Sequence, residues 1–96
     1  MGGMAEPATD SEIRAALAGL PGWERDGDTI RKEYERESFP DAVTFVVRVG
    51  FLAEQVDHHP DIDVRWRKVA LALSTHSAGG LTVKDFELAR RIEALA

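Results

Sequence analysis

Apolar residues recur along this chain with two different periods, and the switches between them mark out its elements. Ile13, Leu17 and Leu20 share one helical face, Thr9 and Glu12 have the spacing of a capping box ahead of it, and Gly19, Pro21 and Gly22 stop it. Trp23 to Arg25 and Thr29 to Ser38 then flank the turn-forming trio Asp26-Gly27-Asp28. Ile30 and Tyr34 fall on one side of the second run and charges fill the remaining positions, which predicts a hairpin with one wet face.

Pro40 suits a first helical turn, and from there Ala42, Phe45, Val46, Val49, Leu52, Ala53 and Val56 form a wide apolar stripe at helical spacing. This helix must stop before Pro60, because a proline restricts the residue ahead of it and cannot donate to the helical ladder. Ile62, Val64 and Trp66 alternate with Asp63, Arg65 and Arg67, and Val69, Leu71 and Leu73 alternate with Ala70, Ala72 and Ser74. Two further strands are therefore predicted, joined near Arg67-Lys68. Gly79-Gly80 opens a loop, and Thr82 with Asp85 repeats the capping-box spacing before Leu88, Ile92 and Leu95. The predicted order is α-β-β-α-β-β-α, an α+β fold with a four-stranded antiparallel sheet and three helices on one face.

Ninety-six residues, 44% of them hydrophobic, supply one core, so a single domain is expected over 9–96 behind a frayed segment 1–8. Domains this small often gain stability by self-association. The net charge of −5 repels a phosphate backbone and disfavours direct nucleic-acid binding. No apolar run approaches the roughly twenty residues that cross a bilayer, and Met1 to Asp10 lack the pattern of a secretory signal, so a cytoplasmic protein off the membrane is expected. Absence of cysteine removes disulfides and thiolate zinc sites.

All three histidines gather around one stretch: His58 and His59 at the exit of the second helix, and His76 after the last strand. Imidazole is the side chain best able to give and take protons near neutral pH, which invites a proton-transfer reading. Adjacent side chains on a helix point about 100° apart, so His58 and His59 are poorly arranged to serve one metal ion, and no metal site is expected. The pair could equally cap the helix by donating to its last carbonyls. Asp85 is accounted for by capping, and Glu54 and Asp57 either orient the imidazoles or are solvated charges. Trp23 and Trp66 fit a core or an interface better than a ligand platform.

Taken together, Glu54-Gln55-Val56-Asp57-His58-His59-Pro60-Asp61, then Trp66, Lys68 and Val69, Leu73-Ser74-Thr75-His76, and Gly80-Leu81-Thr82 with Asp85, Leu88-Ala89 and Ile92 closely resemble the pterin-4a-carbinolamine dehydratase family. The likeness runs without a gap from about Phe39 to the C-terminus, and more loosely back to Pro21-Gly22-Trp23. Gln55, Ile62 and Asp63 depart from residues common in that family. The resemblance implies dehydration of 4a-hydroxytetrahydropterin to quinonoid dihydropterin, which recycles the pterin used by an aromatic amino acid hydroxylase. It implies His58 and His76 near the departing hydroxyl, His59 at the ring, and no cofactor. It also implies supporting or substrate-binding roles for Glu54, Asp57, Asp85, Trp23 and Ser77, a homodimer or homotetramer, and a hydroxylase as a partner. The alternative is a protein-interaction or assembly module that keeps the scaffold without the chemistry.

Overall fold

The computed structural model describes residues 6–96, folded as α1 (Asp10–Ala18), β1 (Glu24–Asp26), β2 (Thr29–Glu35), α2 (Phe39–Val56), β3 (Asp61–Arg65), β4 (Lys68–Leu73) and α3 (Val83–Leu95), with a 3₁₀ turn at His76–Ala78. The order and the α+β class are those the periodicity predicts. All pairings are antiparallel and the strands lie in the order β1-β2-β4-β3. The two hairpins thus meet along β2 and β4, with Ile30 opposite Leu73 and Tyr34 opposite Val69.

Ile30, Tyr34, Val69, Leu71 and Leu73 point to one face of the sheet and join a core with Ala42, Phe45 and Val49 of α2 and Phe86, Leu88, Ala89 and Ile92 of α3. Ile13 and Leu20 close it from the α1 side, with Leu17 half-buried beside them. Burying a large aliphatic or aromatic side chain contributes about 1.5–3 kcal/mol, so this shared cluster supplies most of the driving force for folding. Both predicted capping boxes are formed, Thr9 with Glu12 and Thr82 with Asp85.

Several boundaries differ from the sequence reading. The β1–β2 turn is Gly27-Asp28 alone, because Asp26 pairs with Thr29 and Gly27 takes a φ of +63°. β2 stops at Glu35, and Ser38 instead caps α2 by accepting the Asp41 N–H at 3.1 Å. The second hairpin turns at Trp66-Arg67, since Arg65 pairs with Lys68; Trp66 leaves the strand with a φ of +54° and is exposed. Alternation alone could not show this, because Trp66 keeps the period-two rhythm and no glycine or asparagine marks the turn. Of the segment expected to fray, residues 1–5 lie outside the described residues, whereas Ala8 donates its N–H to the Leu81 carbonyl at 2.8 Å. Among the described residues no helix is long and apolar enough to cross a membrane.

Candidate active site

α2 ends where the site begins. Asp57 adopts a left-handed φ of +53° and donates its N–H toward the last turn, and the His58 N–H reaches back to the Ala53 carbonyl at 3.1 Å. This backbone arrangement satisfies carbonyls that would otherwise be orphaned at the helix end. The histidines are therefore free of capping duty, which their backbone and Asp57 perform instead. The chain leaves α2 in a fixed direction and delivers the His58 ring toward the start of α3.

There His58 Nε2 lies 2.6 Å from Oδ1 of Asp85, whose side chain is fully buried. The other carboxylate oxygen, Oδ2, accepts the Thr82 N–H at 2.9 Å and the Thr75 hydroxyl at 2.8 Å. Thr75 spends its single hydroxyl proton on Asp85, so it accepts from the Thr82 hydroxyl, 2.8 Å away. Thr82 Oγ1 in turn accepts the Lys84 N–H at 3.2 Å. Two donors aimed at one oxygen of a buried carboxyl suit a carboxylate, and a carboxylate can only accept from His58. The proton on that ring is thereby assigned to Nε2, and Nδ1 is left as the nitrogen available for chemistry.

His59 is more open. Its Nε2 lies 2.9 Å from Glu54 Oε1, one turn back on α2, and both side chains are mostly exposed. His76 opens the 3₁₀ turn directly after Thr75 and is exposed. The loop it starts is closed by paired hydrogen bonds between Thr75 and Gly80, the Thr75 N–H reaching the Gly80 carbonyl at 3.1 Å. His58 and His76 are thus linked through Asp85 and Thr75, but they line different cavities. His58 borders one with Val56, Lys84, Glu87, Leu88 and Arg91, and His76 borders another with Asp28, Thr29, Ser74, Gly79 and Gly80.

The remaining sequence candidates divide. Asp85 combines two roles weighed as alternatives, since one oxygen caps α3 and the other holds His58. Asp57 contributes backbone geometry from an exposed position, and Ser77 is exposed on the 3₁₀ turn. Trp23 belongs to the core: only 4% exposed, it packs edge-on to Tyr34 with ring centroids 6.4 Å apart and has little surface to offer a ligand. Thr75 was visible in the sequence only as the neighbour of His76. Its hydroxyl contact with Asp85 spans ten positions and follows from the fold. Among the described residues no three His, Asp or Glu side chains are gathered as a metal-ligand cluster.

A second polar group lies at the other end of the sheet. Glu93 of α3 accepts from the Tyr34 hydroxyl and from Lys32 Nζ, the latter at 2.7 Å, and Lys32 also donates to the Pro21 carbonyl at 2.8 Å. Burial, with help from the Glu93 carboxylate, pushes the Tyr34 hydroxyl far above its usual range. Burial opposes the charge on Glu93, but the hydrogen bonds from Lys32 and Tyr34 outweigh it and hold the carboxyl below its ordinary value. This group ties the first hairpin to α3 and stands apart from the histidines in sequence and partners.

The family model for pterin 4 alpha carbinolamine dehydratase matches residues 6–95. A protein of Roseiflexus sp. (strain RS-1), provisionally named a pterin-4-alpha-carbinolamine dehydratase, is 56% identical over 96% of this chain and 99% of its own length. One from Mycobacteroides abscessus with the same provisional name is 55% identical over 88% of this chain and 90% of its own. Among solved structures, a transcriptional coactivator/pterin dehydratase from Brucella melitensis superposes with a TM-score of 0.91 at 32% identity, covering 95% of this chain and 99% of that one. A pterin dehydratase-like RuBisCO assembly factor of the alpha-carboxysome superposes with a TM-score of 0.64 at 21% identity, over 77% of this chain and 86% of its own, a likeness of fold alone. With the sheet, the histidine pair at the exit of α2 and the buried Asp85 behind it already in view, these matches make the chain a member of the pterin-4-alpha-carbinolamine dehydratase family.

Proposed function

We propose that this protein catalyses the dehydration of 4a-hydroxytetrahydropterin to quinonoid dihydropterin, recycling the pterin that an aromatic amino acid hydroxylase has used. The supporting observation is the pairing of His58 with the buried Asp85, which fixes one imidazole in orientation and tautomer. The reaction breaks the bond from C4a to its hydroxyl and removes the proton from the ring N5. An acid must protonate the departing oxygen and a base must take the N–H proton, with no net change of oxidation state and no step that calls for a metal or redox cofactor. Although they border separate cavities, His58 and His76 are assigned to the hydroxyl through the link that Asp85 and Thr75 make between them, and His59, backed by Glu54, is assigned to the ring. Asp57 and Ser77 support the two histidine segments.

The protein works in the cytoplasm as a homodimer or homotetramer, without binding nucleic acid or membrane. A stripe on α2 supports self-association: Phe39, Val43, Val47 and Phe51 recur every fourth residue and are exposed, Phe51 by 76%. The same stripe is the one observation favouring a second reading, an interaction or assembly module that docks another protein there and does no chemistry.

The test is an assay on freshly generated 4a-hydroxypterin, following loss of its absorbance. Acceleration by the purified protein, lost in the triple variant His58→Ala, His59→Ala, His76→Ala, is the expected result. Equal rates for the triple variant, folded by circular dichroism, would remove the dehydratase reading and leave the interaction module.

A further inference from the structure

The cavity beside His76 measures about 270 Å³, close to the lower end of small-molecule sites, and Asp28 of the β1–β2 turn lines it together with the histidine loop. A Cβ built on Gly80 would lie 3.5 Å from Asp28 Oδ1, so the carboxylate rests against the backbone of the loop that carries His76. Thr29 and Ser74 add hydroxyls to the same wall. Among the described residues, neither an ion pair nor a side-chain hydrogen bond engages the Asp28 carboxylate. It is an exposed, acceptor-only carboxylate that lines the same ligand-sized space as the histidine.

We infer that Asp28 is the residue that recognises the heterocycle, accepting two parallel N–H bonds from the 2-amino group and N3 of the pterin's pyrimidinone edge. This rests on the dehydratase reading and goes beyond it by naming the specificity contact. The amino-pyrimidinone edge presents two coplanar donors side by side, the arrangement that makes guanidinium bind carboxylates in a bidentate fork. Gripping that edge at Asp28 fixes the ring plane relative to His76. The choice of heterocycle is thereby made at the edge remote from the reacting carbon. A 2-oxo analogue replaces one donor by an acceptor and faces a carboxylate that cannot donate to it, and sites built on such a bond reject the mismatched analogue strongly.

Asp28 has no left-handed backbone requirement, so Asp28→Asn and Asp28→Ala preserve the turn. Fluorescence titration with 6-methylpterin and 6-methyllumazine is the measurement. Wild-type protein should prefer the pterin by about tenfold or more, and Asp28→Asn should weaken pterin binding by a similar factor. The asparagine offers one acceptor and one donor, so it should also shrink or reverse the preference by favouring the lumazine edge. In turnover KM should rise with kcat within about threefold, the signature of lost uniform binding. Pterin binding by both variants within about twofold of wild type, with wild-type turnover intact, overturns the Asp28 assignment alone. A wild-type protein that neither binds 6-methylpterin nor accelerates dehydration overturns the assignment together with the reading beneath it.

Discussion

His58 and Asp85 meet at 2.6 Å across 27 positions of sequence, the imidazole at the exit of α2 and the carboxylate in the first turn of α3. The contact joins folding and chemistry in one group. Asp85→Asn keeps the volume and one acceptor but no longer dictates that Nε2 of His58 carries the proton. Turnover should fall on the order of a hundredfold or more, with the change confined to kcat and its pH profile. Asp85→Ala also strands the Thr82 N–H and the Thr75 hydroxyl, so urea denaturation should show a loss of about 2–4 kcal/mol. An Asp85→Asn variant as active as wild type would detach the carboxylate from the reaction.

The three histidines differ in exposure and should differ in consequence. Alanine at the most important of them should slow dehydration by roughly a hundredfold. His59→Ala and Glu54→Gln should leave the melting temperature within a degree or two, since that pair is mostly solvent-exposed and such pairs contribute little to stability. Thermal melts run alongside the kinetics separate the two effects.

Light scattering should report a mass above that of one chain at tens of micromolar. Val47→Asp with Phe51→Asp places charge in the middle of the α2 stripe and should yield monomer with unchanged circular dichroism, because neither side chain belongs to the core. A monomeric wild type would exclude the stripe as a self-association surface.

Stability should depend on pH through the Tyr34–Glu93 group. Folding lowers the Glu93 pKa from its ordinary 4.5, so the unfolded chain binds the proton more tightly, and the stability from this group, complete above that pH, is lost as pH falls through the folded value. Tyr34 behaves oppositely: its pKa is raised from 10.0, so its contribution is complete below pH 10.0 and is lost as pH climbs beyond it. Denaturation midpoints of wild type and Glu93→Gln measured from pH 3 to 7 should converge at the acid end. Parallel curves throughout would show that Glu93 is not the titrating group.

Duplex DNA should not bind even at low salt. The local basic cluster is Arg65, Arg67 and Lys68, and two of its members are already paired, Arg65 with Asp63 at 3.2 Å and Arg67 with Glu35 at 2.8 Å. A gel shift at micromolar protein that weakens steeply with added salt would contradict this.

Much of this architecture was legible from periodicity. The α2 stripe identified the buried residues Ala42, Phe45, Val49 and Ala53, because a helix packed on a sheet must repeat its apolar face near every 3.6 residues. Positions governed by backbone choice were not legible: Trp66 sits in a turn whose left-handed φ its side chain disfavours, and only the register of Arg65 with Lys68 reveals it. The histidines stood out as residue types, and Asp85 as a cap. That Asp85 also reaches His58, and that Trp23 turns inward to Tyr34, are long-range contacts that spacing along the chain does not encode.

The double engagement of Asp85 has a consequence for descent. Because the carboxylate that steadies His58 also starts α3 and satisfies two threonines, selection for a sound fold alone would keep it after selection for catalysis had ceased. A lineage that turned this scaffold to another task would shed its imidazoles first and its aspartate last. Among such descendants, an aspartate at this place testifies to inherited architecture, whereas the residues standing at positions 58, 59 and 76 record whether the chemistry was inherited with it.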